Sequence, residues 1–324
     1  MILQKQQQLQ WLEEMDRRQA LTADEKKDLN YRQIGFAGEE SLGEILRDLI
    51  PSDWLLFQDI RLKMLSGEIQ LDAVLFNGLG LTVFEAKNYT ADYDYSNGQW
   101  KVNGRVKYHN DFQQLDRSVG LLSQELRRNG FNPPIHKYVV YINEDDTVEI
   151  DDLTLPFLKR AKIRRFVKQA INDCQHKPVQ SFQREADWLL GQHQSDDRRY
   201  SLTGDRSVTL RKGIYCVNCG AFGVEASRFH VTCSHCNYSE SKEKAVLRTI
   251  CAYGVLYPYM DLMASDLMEF IGPDIPYTTV YYTLGKFFIK RLNTTYYINP
   301  QSSFDIKFGQ IIFKYKDSIK RKDE

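Results

Sequence analysis

Between Glu68 and Tyr89 the apolar and polar positions change with a period of two. Ile69, Leu71, Ala73 and Leu75 alternate with Gln70, Asp72, Val74 and Phe76, the repeat of a β-strand. Asn77-Gly78 has the chemistry of a tight turn, and Leu81-Thr82-Val83-Phe84 reads as the returning strand. A loop of Asn77-Gly78 pairs Asp72 with Val83, diagonal to Glu85, whereas a loop of Asn77 to Gly80 pairs Asp72 with Glu85 directly. Either register puts Asp72, Glu85 and Lys87 on one face of the hairpin. Upstream the period changes. From about Gly38 to Leu49, Leu42, Ile45, Leu46 and Leu49 form a helical stripe, and Glu39 extends it. Trp54 to Ile60 reads as a strand that reaches the hairpin through Met64-Leu65-Ser66-Gly67. Beyond Tyr89 come a second hairpin turning at Asn103-Gly104, a helix from Asp111 burying Phe112, Leu115, Val119, Leu122 and Leu126, and a strand over Lys137 to Ile142. This order predicts an α/β layered core.

The flanking segments carry other patterns. Residues 2–30 are rich in Gln, Lys and Glu, with Leu9, Leu12, Met15 and Leu21 at helical spacing, which predicts accessory helices. Residues 153–192 read as helical. Within them Ile163, Phe166, Val167 and Ala170 oppose Lys159, Arg160, Lys162, Arg164, Arg165 and Lys168, a face suited to phosphate contacts or simply to solvent. Gln194 to Lys212 is polar and aperiodic, as a linker is. Helices are expected over Lys242–Tyr253, Met263–Ile271 and Ile275–Phe288, with Pro276 suited to a first turn. A basic β-wing over Lys290 to Ile298 follows. Three helices and a hairpin resemble a winged helix, with Thr278, Thr279, Tyr281, Tyr282 and Lys286 on the exposed side of the third helix and Lys290 and Arg291 in the wing. A packing or dimerisation module is the alternative. Phe304 to Tyr315 reads as a further strand before a basic tail. The expected divisions are therefore 1–30, 31–150, 151–212, 213–240 and 241–324.

Charge and cysteine content narrow this picture. The 324 residues hold 43 basic and 43 acidic side chains, so a nucleic-acid partner would be met by local patches. No run is long and apolar enough for a membrane span, and the first residues are too polar for a signal peptide, so the cytoplasm is the expected location. Cys216-x-x-Cys219 and Cys233-x-x-Cys236 have the spacing of a closed, structural Zn²⁺ ribbon. Gly220 and Asn237 suit its turns, while Cys174 and Cys251 read as core residues. No P-loop, Rossmann fingerprint or serine-hydrolase motif is present.

The central hairpin carries the candidate chemistry. Two carboxylates side by side in a half-buried sheet repel each other and are costly to desolvate, so they call for compensation. Mg²⁺ or Mn²⁺ suits such hard oxygen ligands, and Lys87 could hold an attacking water or the phosphate charge. Ordinary Asp and Lys salt bridges on a surface hairpin are the alternative. Asp72, Glu85-Ala86-Lys87 with Asn88-Tyr89, and Gly35-Phe36-Ala37-Gly38-Glu39 together resemble the nuclease-related domain (NERD) family of the PD-(D/E)xK superfamily, over roughly Tyr31 to Asn143. The resemblance implies a restriction-endonuclease-like mixed sheet flanked by helices and a Mg²⁺-dependent nuclease. Glu39, Asp72 and Glu85 would hold the metal, directly or through water, and Lys87 would position or activate the water. The Ala86 carbonyl could add a ligand, since backbone oxygens suit hard cations. Asn110-Asp111-Phe112-Gln113-Gln114 resembles the family's Asn-Pro-x-x-Gln element, with Gln114 at the glutamine position and Asp111 where proline is usual. The implied partner is DNA, with RNA and a homodimer left open. A non-cleaving DNA-binding protein on the same scaffold is the competing reading.

Overall fold

The computed structural model describes residues 3–18, 21–64, 67–145, 147–174, 177–194 and 210–301. The Leu65-Ser66 link, most of the expected linker, and the Phe304–Tyr315 strand with the tail lie outside these residues. The chain divides into two compact units, Met1–Lys5 with Asn30–Asp196, and Gln6–Leu29 with Asp197–Glu324.

The first unit is built on a mixed sheet. β1 (Leu55–Met64), β2 (Gly67–Asn77) and β3 (Gly80–Lys87) run antiparallel, and β7 (Ile135–Tyr141) and β9 (Phe157–Lys159) continue the sheet parallel to β3. Helices cover both faces, as the apolar character of the central strands requires. On one side α3 (Asp111–Arg128) buries Phe112, Leu115, Leu122 and Leu126 against Val74, Val83, Val139 and Trp100, and α5 (Gln183–Gln192) adds Ala186 and Leu189. On the other, α2 (Ala23–Leu49) and α4 (Arg160–Asp173) pack Leu42, Leu46, Ile163 and Val167 onto Ala73, Leu75, Phe84 and Val140. A second sheet holds β4 (Tyr93–Ser96), β5 (Gln99–Val102), β6 (Arg105–Lys107) and β8 (Val148–Ile150) in the order β6-β5-β4-β8. Its turns fall at Asn97-Gly98 and at the expected Asn103-Gly104, all four residues at positive φ.

Four details depart from the sequence pattern. The α2 helix starts at Ala23, because Thr22 and Glu25 form a capping box: the Glu25 N–H donates to Thr22 Oγ1 at 3.3 Å and the Thr22 N–H to Glu25 Oε2 at 2.9 Å. The β2–β3 connection is Gly78-Leu79, with Asn77 still paired to Gly80. Both turn glycines are required: a Cβ at Gly78 would meet the Lys177 carbonyl, and Gly80 sits at φ 130 with a Cβ there meeting the Pro134 carbonyl. The alternation in β2 breaks at Asp72: Ile69 and Leu71 pack with Val74 and Phe76, whereas Ala73 and Leu75 face the other side. Opposite this break in β1 is Asp59, at φ 50. Finally, Phe157–Lys159 is a strand and not part of a helix; Pro156 disfavours helix at the residue before it, and its carbonyl accepts from the Val139 N–H at 2.9 Å.

In the second unit α1 (Gln7–Arg17) buries Leu9, Leu12 and Met15 and packs on the almost wholly buried α6 (Lys242–Leu256). Strands β10 (Val224–Ala226), β11 (His230–Cys233) and β12 (Ser239–Ser241) form a small antiparallel sheet. Helices α7 (Ala264–Ile271) and α8 (Tyr277–Phe287) follow, then a short hairpin in which Lys290 pairs with Tyr297. Tyr297 also pairs with Leu262, between α6 and α7.

Candidate functional site

The β2–β3 register places Phe84 opposite Ala73, so Glu85 follows directly across from Asp72. Asp72 and Glu85 are both buried, at 8% and 5% exposure. Asp72 Oδ2 accepts the Ala86 N–H at 2.8 Å. Burial first, then the neighbouring Glu85 and Glu39 carboxylates, push the Asp72 carboxyl well above its ordinary range. Lys87 Nζ donates to Glu85 Oε1 at 2.8 Å and to Gln114 Oε1 at 3.0 Å, and Gln114 Nε2 returns a hydrogen bond to Glu85 Oε1. Burial alone would lower Lys87, but Glu85, Asp111 and Asp72 outweigh it and its pKa is raised, so it stays an ammonium.

Glu39 lies well inside α2, three residues before Leu42, which packs on the sheet. Its backbone carbonyl accepts from Gln58 Nε2 at 3.1 Å, and Arg47 donates to the other end of that buried amide. Burial, then Asp59 and Glu85, raise the Glu39 carboxyl to about 8. Glu39 thus lies within electrostatic reach of Asp59, Glu85 and Asp72, and Asp72 within reach of Glu85. Among the described residues, however, no three of their oxygens close to within 4.8 Å of each other. That spacing fits a cation held by one or two carboxylates plus water and phosphate oxygens, as Mg²⁺ usually is, better than a closed protein cage.

Beside these groups Asp111, only 1% exposed, accepts the Tyr89 hydroxyl at 2.7 Å and the Tyr141 hydroxyl at 3.4 Å. Burial of the two rings, and then the Asp111 carboxylate that they donate to, raises both phenols above their ordinary range. Asn110 caps α3, its side chain accepting from the Phe112 and Gln113 N–H groups. Asp111 therefore occupies the first helical position, where proline is favoured, and it supplies an acceptor that proline lacks. Gln114 lies one turn further along, facing the carboxylates.

The sequence model of the nuclease-related domain family matches residues 34–142. The chain carries a nuclease-related domain. No curated protein and no solved structure gives a significant match. The matched stretch begins and ends at residues that hold the domain's site together: Asn88, directly after Lys87, donates to the Ile34 carbonyl at 2.9 Å, and the Ile142 N–H donates to the Lys87 carbonyl at 3.0 Å. Of the two glycines in Gly35-Phe36-Ala37-Gly38, only Gly38 meets a neighbour, since a Cβ there would lie 2.7 Å from Asn88 Cβ. The domain also uses residues that pattern reading missed. Asp59, in the middle of β1, is an acid within a strand as Asp72 is, whereas His109 becomes visible only through its partner Gln114.

Outside the nuclease-related domain, the four cysteines converge. Cys216, Cys219, Cys233 and Cys236 have Sγ atoms all within 4.8 Å of one another, with Cys216–Cys236 at 3.6 Å and Cys219–Cys233 at 3.7 Å. Zn–S bonds of about 2.3 Å in a tetrahedron put sulfurs about 3.8 Å apart, so the cluster fits a structural Zn²⁺. Gly220 at φ 72 and Asn237 at φ 57 make the expected turns.

The expected nucleic-acid contacts are dispersed. Lys159 is half-buried at the end of β9, and Arg160 is held by Ser41 at 2.7 Å and Glu144 at 2.9 Å, so it ties elements together. Lys162, Arg164 and Arg165 are exposed on α4. Thr278 is exposed and Thr279 half-exposed on α8, where the Thr279 carbonyl accepts from Thr283. Lys286 pairs with Glu243 at 2.8 Å and Arg291 with Asp261 at 2.6 Å, whereas Lys290 is exposed. No described helix is long and apolar enough to cross a membrane.

Proposed function

We propose that this protein is a metal-dependent nuclease that hydrolyses phosphodiester bonds, with DNA as its substrate. The observation that carries the reading is the Lys87 ammonium held between Glu85 and Gln114, beside the buried Asp72, inside the matched domain. Of Glu39, Asp72 and Glu85, one or two would hold Mg²⁺ or Mn²⁺ directly and the remainder through water, with the Ala86 carbonyl as a further hard oxygen ligand. When bound, such a cation neutralises phosphate charge and lowers the pKa of a bound water. Lys87, kept charged by its carboxylate neighbours, positions that water and offers a proton donor to the phosphate oxygens. Gln114 fixes both Lys87 and Glu85, so neither side chain has to reorganise during the reaction.

The second unit would supply grip. A Zn²⁺ ribbon at the four cysteines and a winged-helix-like module fit the helix, strand and hairpin order found there, with α8 as the helix offered to nucleic acid. One observation favours a non-cleaving, nucleic-acid-binding alternative: the 2.8 Å Lys87–Glu85 ion pair satisfies both charges without a cation. Incubating the full chain with circular and linear DNA in Mg²⁺ or Mn²⁺, beside Asp72→Asn, separates the two. Metal-dependent cleavage absent from the variant supports the nuclease; DNA binding with no cleavage in any metal supports the alternative.

A further inference from the structure

The second hairpin of the nuclease-related unit has no role in the site so far. From Asn97 to Asn110 it contains Lys101, Arg105 and Lys107 and no acidic residue. Arg105 is exposed and Val106 half exposed, while Lys107 lies over the stacked rings of Tyr89 and Tyr93, 4.5 and 4.9 Å from their centroids. The hairpin returns into the site through His109, whose Nε2 is 2.9 Å from Gln114 Oε1. Between the basic strand and that contact stands Tyr108, 99% exposed. Tyr31, on α2, is 71% exposed.

Tyr108 offers a free aromatic face next to His109, which contacts Gln114 of the site, and on a hairpin that carries cations, the pairing of stacking ring and basic track that single-strand binders use. We infer that Tyr108 is a stacking platform for an unpaired nucleobase beside the scissile phosphate, and that Lys101 and Arg105 hold the flanking phosphates, so the preferred substrate is single-stranded. The inference rests on the nuclease reading for the place of cleavage. The chemistry points to a single strand for two reasons. A base can lie on Tyr108 only when it is out of a duplex, and every base offers a π-face to such a ring. A duplex carries one charge per about 1.7 Å. Lys101 and Arg105 lie on one short hairpin, a length that matches the few phosphates of a short single-stranded segment. Tyr108 touches only the base, and is therefore a positioning residue.

Binding of a single-stranded oligonucleotide containing 2-aminopurine, with no divalent cation added, tests this without requiring cleavage. The full-length wild type should quench the probe, Tyr108→Phe should quench it equally, and Tyr108→Ala should lose the quench and bind roughly 5- to 150-fold more weakly. Arg105→Ala should lower the salt slope of log K by about 0.7. The matching duplex should bind more weakly than the single strand and change by less than about twofold in Tyr108→Ala. Unchanged quenching and affinity in Tyr108→Ala, or tighter duplex binding that falls with it, would overturn the inference. If wild type binds and quenches but cleaves nothing in Mg²⁺ or Mn²⁺, the nuclease reading fails while the stacking platform stands.

Discussion

Gly38→Ala tests how the site is held together. A Cβ at Gly38 would lie 2.7 Å from Asn88 Cβ and 3.2 Å from Ile142 Cγ2. Carbon atoms settle about 3.5 to 4.0 Å apart, so the end of β3 and α2 must separate by about 1 Å. Neither contact is the free end of a long side chain: Asn88 follows Lys87 and is tied to the Ile34 carbonyl and to Asn143. Alanine in place of glycine within a helix gains about 1 kcal/mol, and overpacking costs about 1 to 3 kcal/mol, so the net loss of stability runs from about zero to about 2 kcal/mol. The effect on rate is larger. Glu39 and Lys87 sit one residue from the two colliding positions, and a displacement of about 1 Å of catalytic groups costs on the order of a hundredfold. Gly35→Ala is the matched control, because nothing lies within 4 Å of its Cβ. That variant should be about 1 kcal/mol more stable with unchanged activity. Urea unfolding followed by tryptophan fluorescence reports mainly on the first unit, which holds Trp54, Trp100 and Trp188. If Gly38→Ala matched Gly35→Ala in both stability and cleavage rate, the close approach of α2 to the end of β3 would not be what positions Glu39 and Lys87.

Other measurements reach separate parts of the account. Without divalent cations the fold prefers a neutral Glu39, raised from 4.5 to about 8, so this contribution to stability is full below pH 4.5 and lost as pH rises through about 8. Glu39→Gln should flatten that decline and be more stable at pH 8 by on the order of a few kcal/mol in urea titrations; equal slopes in both proteins would contradict it. Metal analysis should find one zinc ion per chain, and Cys219→Ser or Cys233→Ser should lose it together with the thermal stability of the second unit. Asp111→Ala should cost about 2 to 4 kcal/mol in unfolding experiments, because the Tyr89 and Tyr141 hydroxyls lose their buried acceptor; a loss below about 0.5 kcal/mol would show that water replaces it.

Much of the architecture could be read along the chain. The hairpin, the α3 stripe, the helices over 242–287 and the cysteine knuckles follow from period, capping chemistry and spacing. What was hidden depends on contacts between distant segments. The strand at Phe157–Lys159 is too short to show a period and exists because β7 offers it an edge. The face switch at Asp72 is made together with Asp59, and no alternation rule within one strand predicts it. Gln114 could be placed at a helix start, but its two bonds to Glu85 and Lys87 required the tertiary fold, as did the burial of Asp111 between two tyrosines. The surface cations were the least legible, because exposure does not reveal pairing: Arg160, Lys286 and Arg291 all hold acidic partners.

The most direct test of the central claim is Mg²⁺-dependent cleavage by wild type and Lys87→Ala under single-turnover conditions, with nucleic-acid affinity and zinc content measured on the same samples. The account predicts that Lys87→Ala binds nucleic acid and zinc as the wild type does and cleaves at least about a hundredfold more slowly. Equal cleavage by both proteins would contradict it and place the chemistry elsewhere.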